Sequence, residues 1–316
     1  MKLVTAFLRL IRWPNLVFIV VTQCLFYYCI ILPFNRIGGV FFFDNRSLVC
    51  LILSSVLIAA AGYIINDYFD LNIDRVNKPE KLVVEKIIKR RWAIVWHILL
   101  SVTGVLLSVY VDLKERTLWV GFANLLCVLL LFGYSASLKK KFLVGNVLIS
   151  LLTAWVIIVV FLCYYFNSYY HQFGDYQNLY SYINRLIKLS FVYSGFAFII
   201  SLIREVIKDM EDMEGDEKYG CKTMPIVWGI PASKVFTAVW LIVLTGAVII
   251  LQFYALHLHW WWSVIYSVVT IIIPLLWILR KLYTAQVAKD YHQLSTAVKL
   301  VMLAGILSMV FFKIYS

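Results

Sequence analysis

Nine stretches of about 20 mostly apolar residues recur along this 316-residue chain, and they constrain its fold more than any other feature. Hydrocarbon offers the backbone no water to bond, so a run of that length is expected to be a membrane-crossing helix. The stretches fall near residues 13–33, 48–65, 92–111, 118–138, 142–166, 186–203, 235–256, 260–279 and 297–314. The predicted fold is all-α: a polytopic membrane protein with nine transmembrane helices in one bundle. No linker rich in Pro, Gly or Ser divides the chain, so a single domain is expected over residues 1–316. Charged residues make up 15% of the sequence, against roughly 25% in soluble domains, which excludes a conventional soluble enzyme or a disordered tail. Arg9 and Arg12 interrupt the apolar N-terminus and no small-residue cleavage site follows, so the first span is expected to be retained.

With nine spans the connecting segments alternate sides, and the basic residues divide unequally between them. One alternate set, beginning with the N-terminal segment, holds 21 Lys and Arg, the other holds 7, and Lys299 begins the ninth span. The positive-inside rule then makes the N-terminus cytoplasmic and the C-terminus external, in an integral, multi-pass protein of the cell inner membrane. The net charge of +12 is split up by apolar spans, which favours a lipid surface as partner over nucleic acid. No obligate protein partner is indicated. Two long polar segments, after the second and sixth spans, lie on the basic side, and chemistry is expected there.

Those two segments share a pattern. The first contains Asn66-Asp67-Tyr68-Phe69-Asp70-Leu71-Asn72-Ile73-Asp74 and the second Asp209-Met210-Glu211-Asp212-Met213-Glu214-Gly215-Asp216. Both read D-x2-D-x3-D, with each aspartate of the second 142 positions after its counterpart. On a helix, positions i, i+3 and i+7 share one face, so each triad presents three carboxylates together. Their mutual repulsion calls for a cation. Magnesium suits a few carboxylates and completes its shell with water and phosphate oxygens, so two facing triads fit a diphosphate. The simpler alternative, a solvated acidic turn, explains one triad better than a repeat in a chain with 17 acids. The EF-hand likeness of residues 70–74 fails, since Arg75 and Lys81 replace the required glycine and glutamate. The five histidines are scattered and the six cysteines form no CxxC pair, so neither zinc nor disulfides are expected.

A diphosphate also needs cationic partners as leaving-group charge develops. Arg12 before the first span, Arg75 after the first triad, Lys139 to Lys141 after the fourth span, and Lys208 beside the second triad are candidates. Each also has a simpler role in topology or headgroup contact. Arg12 and Lys139 are the preferred pair.

These motifs resemble those of the UbiA superfamily of intramembrane prenyltransferases. Asn66-Asp67-x2-Asp70-x3-Asp74 is similar to that family's first aspartate motif, Asp212-x3-Asp216 to its second, and Arg9-Leu10-Ile11-Arg12-Trp13-Pro14-Asn15 to its N-terminal signature. Arg204-Glu205-x2-Lys208-Asp209-x-Glu211-Asp212-x2-Gly215-Asp216, followed by Gly220-x2-Thr223-x-Pro225, most resembles the geranylgeranylglycerol-phosphate geranylgeranyltransferase branch. The resemblance implies nine helices and Mg2+-dependent transfer from a prenyl diphosphate to a lipid-like acceptor, with an aromatic quinone precursor as the alternative. It implies metal ligation by Asn66, Asp67, Asp70, Asp74, Asp209, Asp212 and Asp216, of which Asp70, Asp74, Asp212 and Asp216 are the catalytic set. Diphosphate binding would fall to Arg12, Asn66, Arg75, Tyr134, Lys139 and Lys208. One spacing departs from the family: the lysine that usually follows the tyrosine by four residues follows Tyr134 by five, which on a helix turns it by about 100°.

Other classes fit less well. A transporter is expected to carry charges deep in its spans, and a nucleotide-dependent alcohol phosphotransferase a glycine- and arginine-containing acidic signature absent from both segments. Residues 77–91 and 214–234 are candidate lids, with ordinary connecting loops as the alternative. Gln23, Asn124, Asn146 and Thr153 either line a cavity or bond helix to helix.

Overall fold

The computed structural model describes residues 2–33, 44–77, 83–170 and 176–315. In chain order its helices are α1 (Lys2–Leu10), α2 (Trp13–Ile31), α3 (Asn45–Asn77), α4 (Arg90–Glu115), α5 (Val120–Ala136), α6 (Val144–Tyr170), α7 (Tyr176–Glu211), α8 (Met213–Lys218), α9 (Met224–Val227), α10 (Gly229–His257), α11 (Trp261–Thr284) and α12 (Ala288–Ile314). Eight of them, α2, α3, α4, α6, α7, α10, α11 and α12, are long and apolar enough to cross a membrane. The fourth predicted span is α5, shorter at 17 residues, which still reaches about 25 Å. The described helices thus fill all nine predicted spans of an integral membrane protein.

Two helices overrun their apolar runs. Residues 66–77 contain neither Gly nor Pro, so α3 continues past the hydrocarbon segment and carries the first aspartate triad on regular helix instead of in a loop. The sixth span begins earlier than the hydropathy predicts: α7 starts at Tyr176, and Arg185 and Lys188 are exposed on its surface without breaking it. α11 shifts to π-helical bonding over Val268–Ile272, just before Pro274, because proline has no N–H and its ring displaces the carbonyl one turn back.

Lipid is no less apolar than leucine, so small residues and buried hydrogen bonds must select the helix contacts. Between α3 and α4, Ser54 Oγ and Ser108 Oγ lie 2.6 Å apart, and Asn124 of α5 donates to both at 3.2 and 2.7 Å. Gly104 makes this approach possible, since a Cβ there would stand 2.8 Å from Ile58. The first turn of α5 is capped by Asp112, which accepts the backbone N–H groups of Trp119, Val120 and Gly121. Gln23 ties α2 to α3 and α6 through Ser55 Oγ and the Val156 carbonyl, both at 3.0 Å. α7 packs along α6 and α12, and α3 along α4 and α5. Large apolar side chains such as Phe122, Ile250 and Phe253 point outward, where a bilayer covers them.

Candidate active site

A cavity of about 990 Å³ runs among α2, α3, α5, α6, α7 and α12, near the top of the roughly 300–1,000 Å³ range of ligand pockets. One end is polar. Asn66, Asp67, Asp70 and Asp74 of α3 line it, as do Asp209 of α7, Asp212 and Asp216, Arg12, Lys139 and Lys299. The alternate basic segments of the sequence therefore meet at one end of the bundle. The other end is lined by Trp155, Tyr193, Ala197 and Met309. Tyr193 stands sixteen residues before Asp209 on α7, about 24 Å along the axis, so the cavity extends through most of the hydrocarbon thickness.

The side chains of the first triad are anchored individually. Arg12 links α1 to α2 in the left-handed conformation, φ 50° and ψ 52°, which a non-glycine residue adopts at a cost. Its Nη2 donates to Asp67 Oδ1 at 2.7 Å, and its guanidinium lies 5.1 Å from the centre of the Tyr63 ring. Burial works against the Arg12 charge, but Asp67, Tyr63 and Asp74 together more than offset it and hold its proton above the ordinary arginine value. Asn66 Nδ2 donates to Asp70 Oδ2 at 2.7 Å.

Lys139 does reach the site. Its ammonium pairs with Asp70 Oδ1 and lies 3.3 Å from Asn66 Oδ1. The five-residue spacing from Tyr134 is absorbed because α5 ends at Ala136 and a 3₁₀ turn, Leu138–Lys140, follows, so the 100° displacement expected on a continuous helix does not arise. Gly145 admits the turn, since a Cβ there would lie 2.7 Å from Lys139 Cα and 3.1 Å from Tyr134 Cε2. Tyr134 lines the same cavity.

The second triad is not one helical face. α7 ends at Glu211, Asp212 occupies the break with φ −98° and ψ 8°, and Asp216 belongs to α8. Asp209 accepts from Asn146 Nδ2 at 2.8 Å. Asn77, at the end of α3, fastens this break from across the cavity. Its Nδ2 donates to the Asp212 carbonyl and its Oδ1 accepts from the Gly215 N–H, both at 2.9 Å. Residues 214–234 are largely helical, in α8, α9 and the start of α10, and residues 78–82 of the first candidate lid lie outside the described residues.

Two expected diphosphate ligands are placed differently. Arg75 faces away from the cavity lining and pairs with Glu85 at 2.6 Å, because position 75 sits beside, and not on, the helix face of Asp67, Asp70 and Asp74. Lys208 lines the cavity, and its Nζ lies 3.2 Å from Glu205 Oε2. Sequence reasoning gave no site role to Asn15, Tyr63, Asn77 or Lys299, which join the site through contacts between distant helices. Burial pushes the Cys221 thiol up to about 11 at the same polar end, so it is protonated at neutral pH.

One amide and six carboxylates at one cavity end have the hard-oxygen chemistry that suits magnesium ions. Among the described residues no three carboxylate, imidazole or thiol side chains form a ready-made cage, so such ions would complete their shells with water and phosphate oxygens.

The UbiA prenyltransferase family matches residues 36–309. The chain belongs to that family. It is 26% identical to digeranylgeranylglyceryl phosphate synthase of Methanosphaera stadtmanae over 84% of this chain and 87% of the relative. It is 32% identical to the synthase of that name from Sulfolobus acidocaldarius over 72% of this chain and 70% of the relative. Among solved structures, a digeranylgeranylglyceryl phosphate synthase in membranes aligns with 98% of this chain and 99% of its own, at a TM-score of 0.59 and 21% identity. A UbiA homologue from Archaeoglobus fulgidus bound to GPP and Mg2+ aligns with 96% of this chain and 99% of its own, at 0.53 and 15%. This UbiA prenyltransferase thus has its aspartate motifs at one end of a cavity that penetrates the bundle.

Proposed function

We propose that this protein transfers a prenyl group, geranylgeranyl by preference, from its diphosphate to the free hydroxyl of a prenylated glycerol phosphate, giving an ether lipid. The observation that carries this reading is the meeting of both aspartate motifs with Arg12 and Lys139 at the polar end of a long apolar cavity. The isoprenoid tail lies in the apolar depth. Its diphosphate would lie between the motifs, where Asn66, Asp67, Asp70, Asp74, Asp209, Asp212 and Asp216 would share the ligation of magnesium ions. Bound magnesium supplies electrophilic stabilisation of the leaving diphosphate. Arg12 and Lys139, held at the polar end by Asp67 and Asp70, are cations preplaced beside the charge that develops as the allylic C1–O bond breaks. The acceptor oxygen then attacks carbon one, and its proton passes to a carboxylate of the motifs. Arg75 has no part in this assignment. The basic surplus on the motif side supports a cytoplasmic polar end, with the N-terminus cytoplasmic and the C-terminus external.

The glycerol phosphate acceptor is supported by relatives named for that synthesis, and the metal and donor by the A. fulgidus homologue bound to GPP and Mg2+. The test offers the detergent-purified protein geranylgeranyl diphosphate and magnesium with geranylgeranylglycerol phosphate or 4-hydroxybenzoate, against an Asp70→Ala/Asp212→Ala variant. Ether product from the unaltered protein alone is the expected result. Product only from the hydroxybenzoate moves the protein to quinone synthesis, and unchanged turnover in the variant removes the metal assignment.

A further inference from the structure

The polar end of the cavity carries two groups of cations, and among the described residues only one of them makes direct ion pairs with the aspartate motifs. Arg12 and Lys139 face Asp67 and Asp70. The second group is Arg204 and Lys208 on α7 with Lys299 on α12, three side chains that line the cavity from helices packed along each other. Arg204 and Lys208 are one turn apart and share one carboxylate, Glu205, at 3.1 and 3.2 Å. Lys299 donates to Asn15 Oδ1 at 2.6 Å and sits 5.2 Å from the centre of the Phe18 ring. Among the described residues it has no carboxylate within ion-pair distance. It stands instead in the repulsive field of Arg204 and Lys208.

Three cations stand against one paired carboxylate, Glu205, and even with Asp209 beside Lys208 counted a formal excess of one positive charge remains. Beside a membrane interior such an excess is costly unless an anion joins it. The group also has an unfilled donor: Arg204 Nε is buried with no hydrogen-bond partner, while its Nη1 is held by Glu205. A fixed guanidinium edge with a free N–H, flanked by two ammonium groups, suits a phosphomonoester, which carries about −1.5 to −2 charges and three acceptor oxygens.

Given the reading of the reaction as transfer to a prenylated glycerol phosphate, we propose that Arg204, Lys208 and Lys299 form a second anion pocket that binds the acceptor's phosphate. The two anionic headgroups then have separate cation sets: Arg12 and Lys139 for the donor diphosphate, the α7–α12 group for the acceptor. The acceptor's hydroxyl, a few bonds from its phosphate, is thereby held between them. Glu205 is a positioning residue, aligning Arg204 and Lys208 without touching substrate.

The test is equilibrium binding of geranylgeranylglycerol phosphate and of its dephosphorylated alcohol to the full-length protein, with magnesium and a non-reacting thiolo-diphosphate donor analogue present. Unaltered protein is expected to bind the phosphate form at least about tenfold more tightly, as charge-assisted hydrogen bonds imply. Lys299→Gln and Arg204→Gln are expected to erase most of that preference, Lys299→Arg to restore it, and donor-analogue affinity to change several-fold less than the preference does. Lys208→Gln serves as the probe if either glutamine variant fails to fold. The pocket is overturned if the unaltered protein shows no preference, if the preference survives these variants, or if donor affinity falls with it. A preference that behaves as expected without transfer to the glycerol phosphate leaves the pocket standing and removes the proposed reaction. Transfer with the preference untouched does the reverse.

Discussion

Asn77 and Gly215 are locked face to face: the Asn77 amide accepts the Gly215 N–H and donates to the Asp212 carbonyl, both at 2.9 Å. This contact joins the end of the first aspartate helix to the break that carries the second motif, so it sets the distance between the two carboxylate groups. A Cβ at position 215 would lie 2.4 Å from Asn77 Oδ1, inside any real contact. Gly215→Ala is expected to push the Asn77 amide out of this contact, loosen the spacing of the motifs and lower kcat by up to about 100-fold, the penalty typical of a misplacement near 1 Å. Asn77→Ala, which loses both bonds, is expected to cost about 1–3 kcal/mol in stability. Single-turnover kinetics and thermal melts in detergent measure the two effects, and equal kinetics in Gly215→Ala and unaltered protein would refute the coupling.

Lys139 and Arg75 are both candidate diphosphate cations in the sequence, but they are placed differently in space. Lys139 pairs with Asp70 inside the cavity, whereas Arg75 turns out to Glu85. Lys139→Met is therefore expected to lower prenyl transfer by about 100- to 1,000-fold, the scale for removing one preplaced donor from developing charge. Arg75→Ala is expected to change it less than about twofold, as for an exposed pair. Steady-state assays of both variants check the contrast, and comparable losses would return Arg75 to the diphosphate site.

What the sequence made legible was what depends on neighbouring residues. Apolar runs located the spans, and the basic bias grouped the segments that carry Arg12, Lys139 and both aspartate triads. The first triad's shared face was readable because residues 66–77 hold no helix breaker. The second triad's face was not. The break at Asp212 is stabilised by Asn77, 135 residues away, and no local pattern reports such a contact. The Tyr134 to Lys139 spacing misled for a related reason, since a periodicity argument presumes a helix that in fact stops at Ala136. Lys299 reads in sequence as one more span-terminal cation, and its significance comes from Asn15, Arg204 and Lys208 on two other helices.

Cys221 lies among the carboxylates at the polar end, and burial pushes its thiol up to about 11. A thiol reacts as its thiolate. With its pKa raised, Cys221 is protonated below pH 11, and reactivity appears only as pH rises towards that value. In a variant retaining Cys221 as its sole cysteine, maleimide labelling at pH 8 is expected to run about 100-fold slower than for a small-molecule thiol, because a pKa raised from 9.0 to about 11 cuts the thiolate fraction by about that factor. Labelling at the free-thiol rate would show the polar end to be open to water around Cys221.

The apolar depth of the cavity predicts a donor length. Ala197 lines it twelve residues before Asp209 on α7, about 18 Å from the carboxylates. A tail that starts at the diphosphate must pass this level if it is long and stops short of it if it is brief. Ala197→Phe adds a ring there without touching a charged group, so magnesium-dependent diphosphate binding is expected to persist. The specificity ratio, kcat/KM for geranylgeranyl over geranyl diphosphate, is expected to fall by tenfold or more, since several buried methylenes worth about 0.8 kcal/mol each lose their place. Met309→Ala, at the far end, is expected to leave the ratio unchanged or raise it. If both donors slow equally in Ala197→Phe, the tail runs elsewhere, and the cavity's apolar depth belongs to the acceptor.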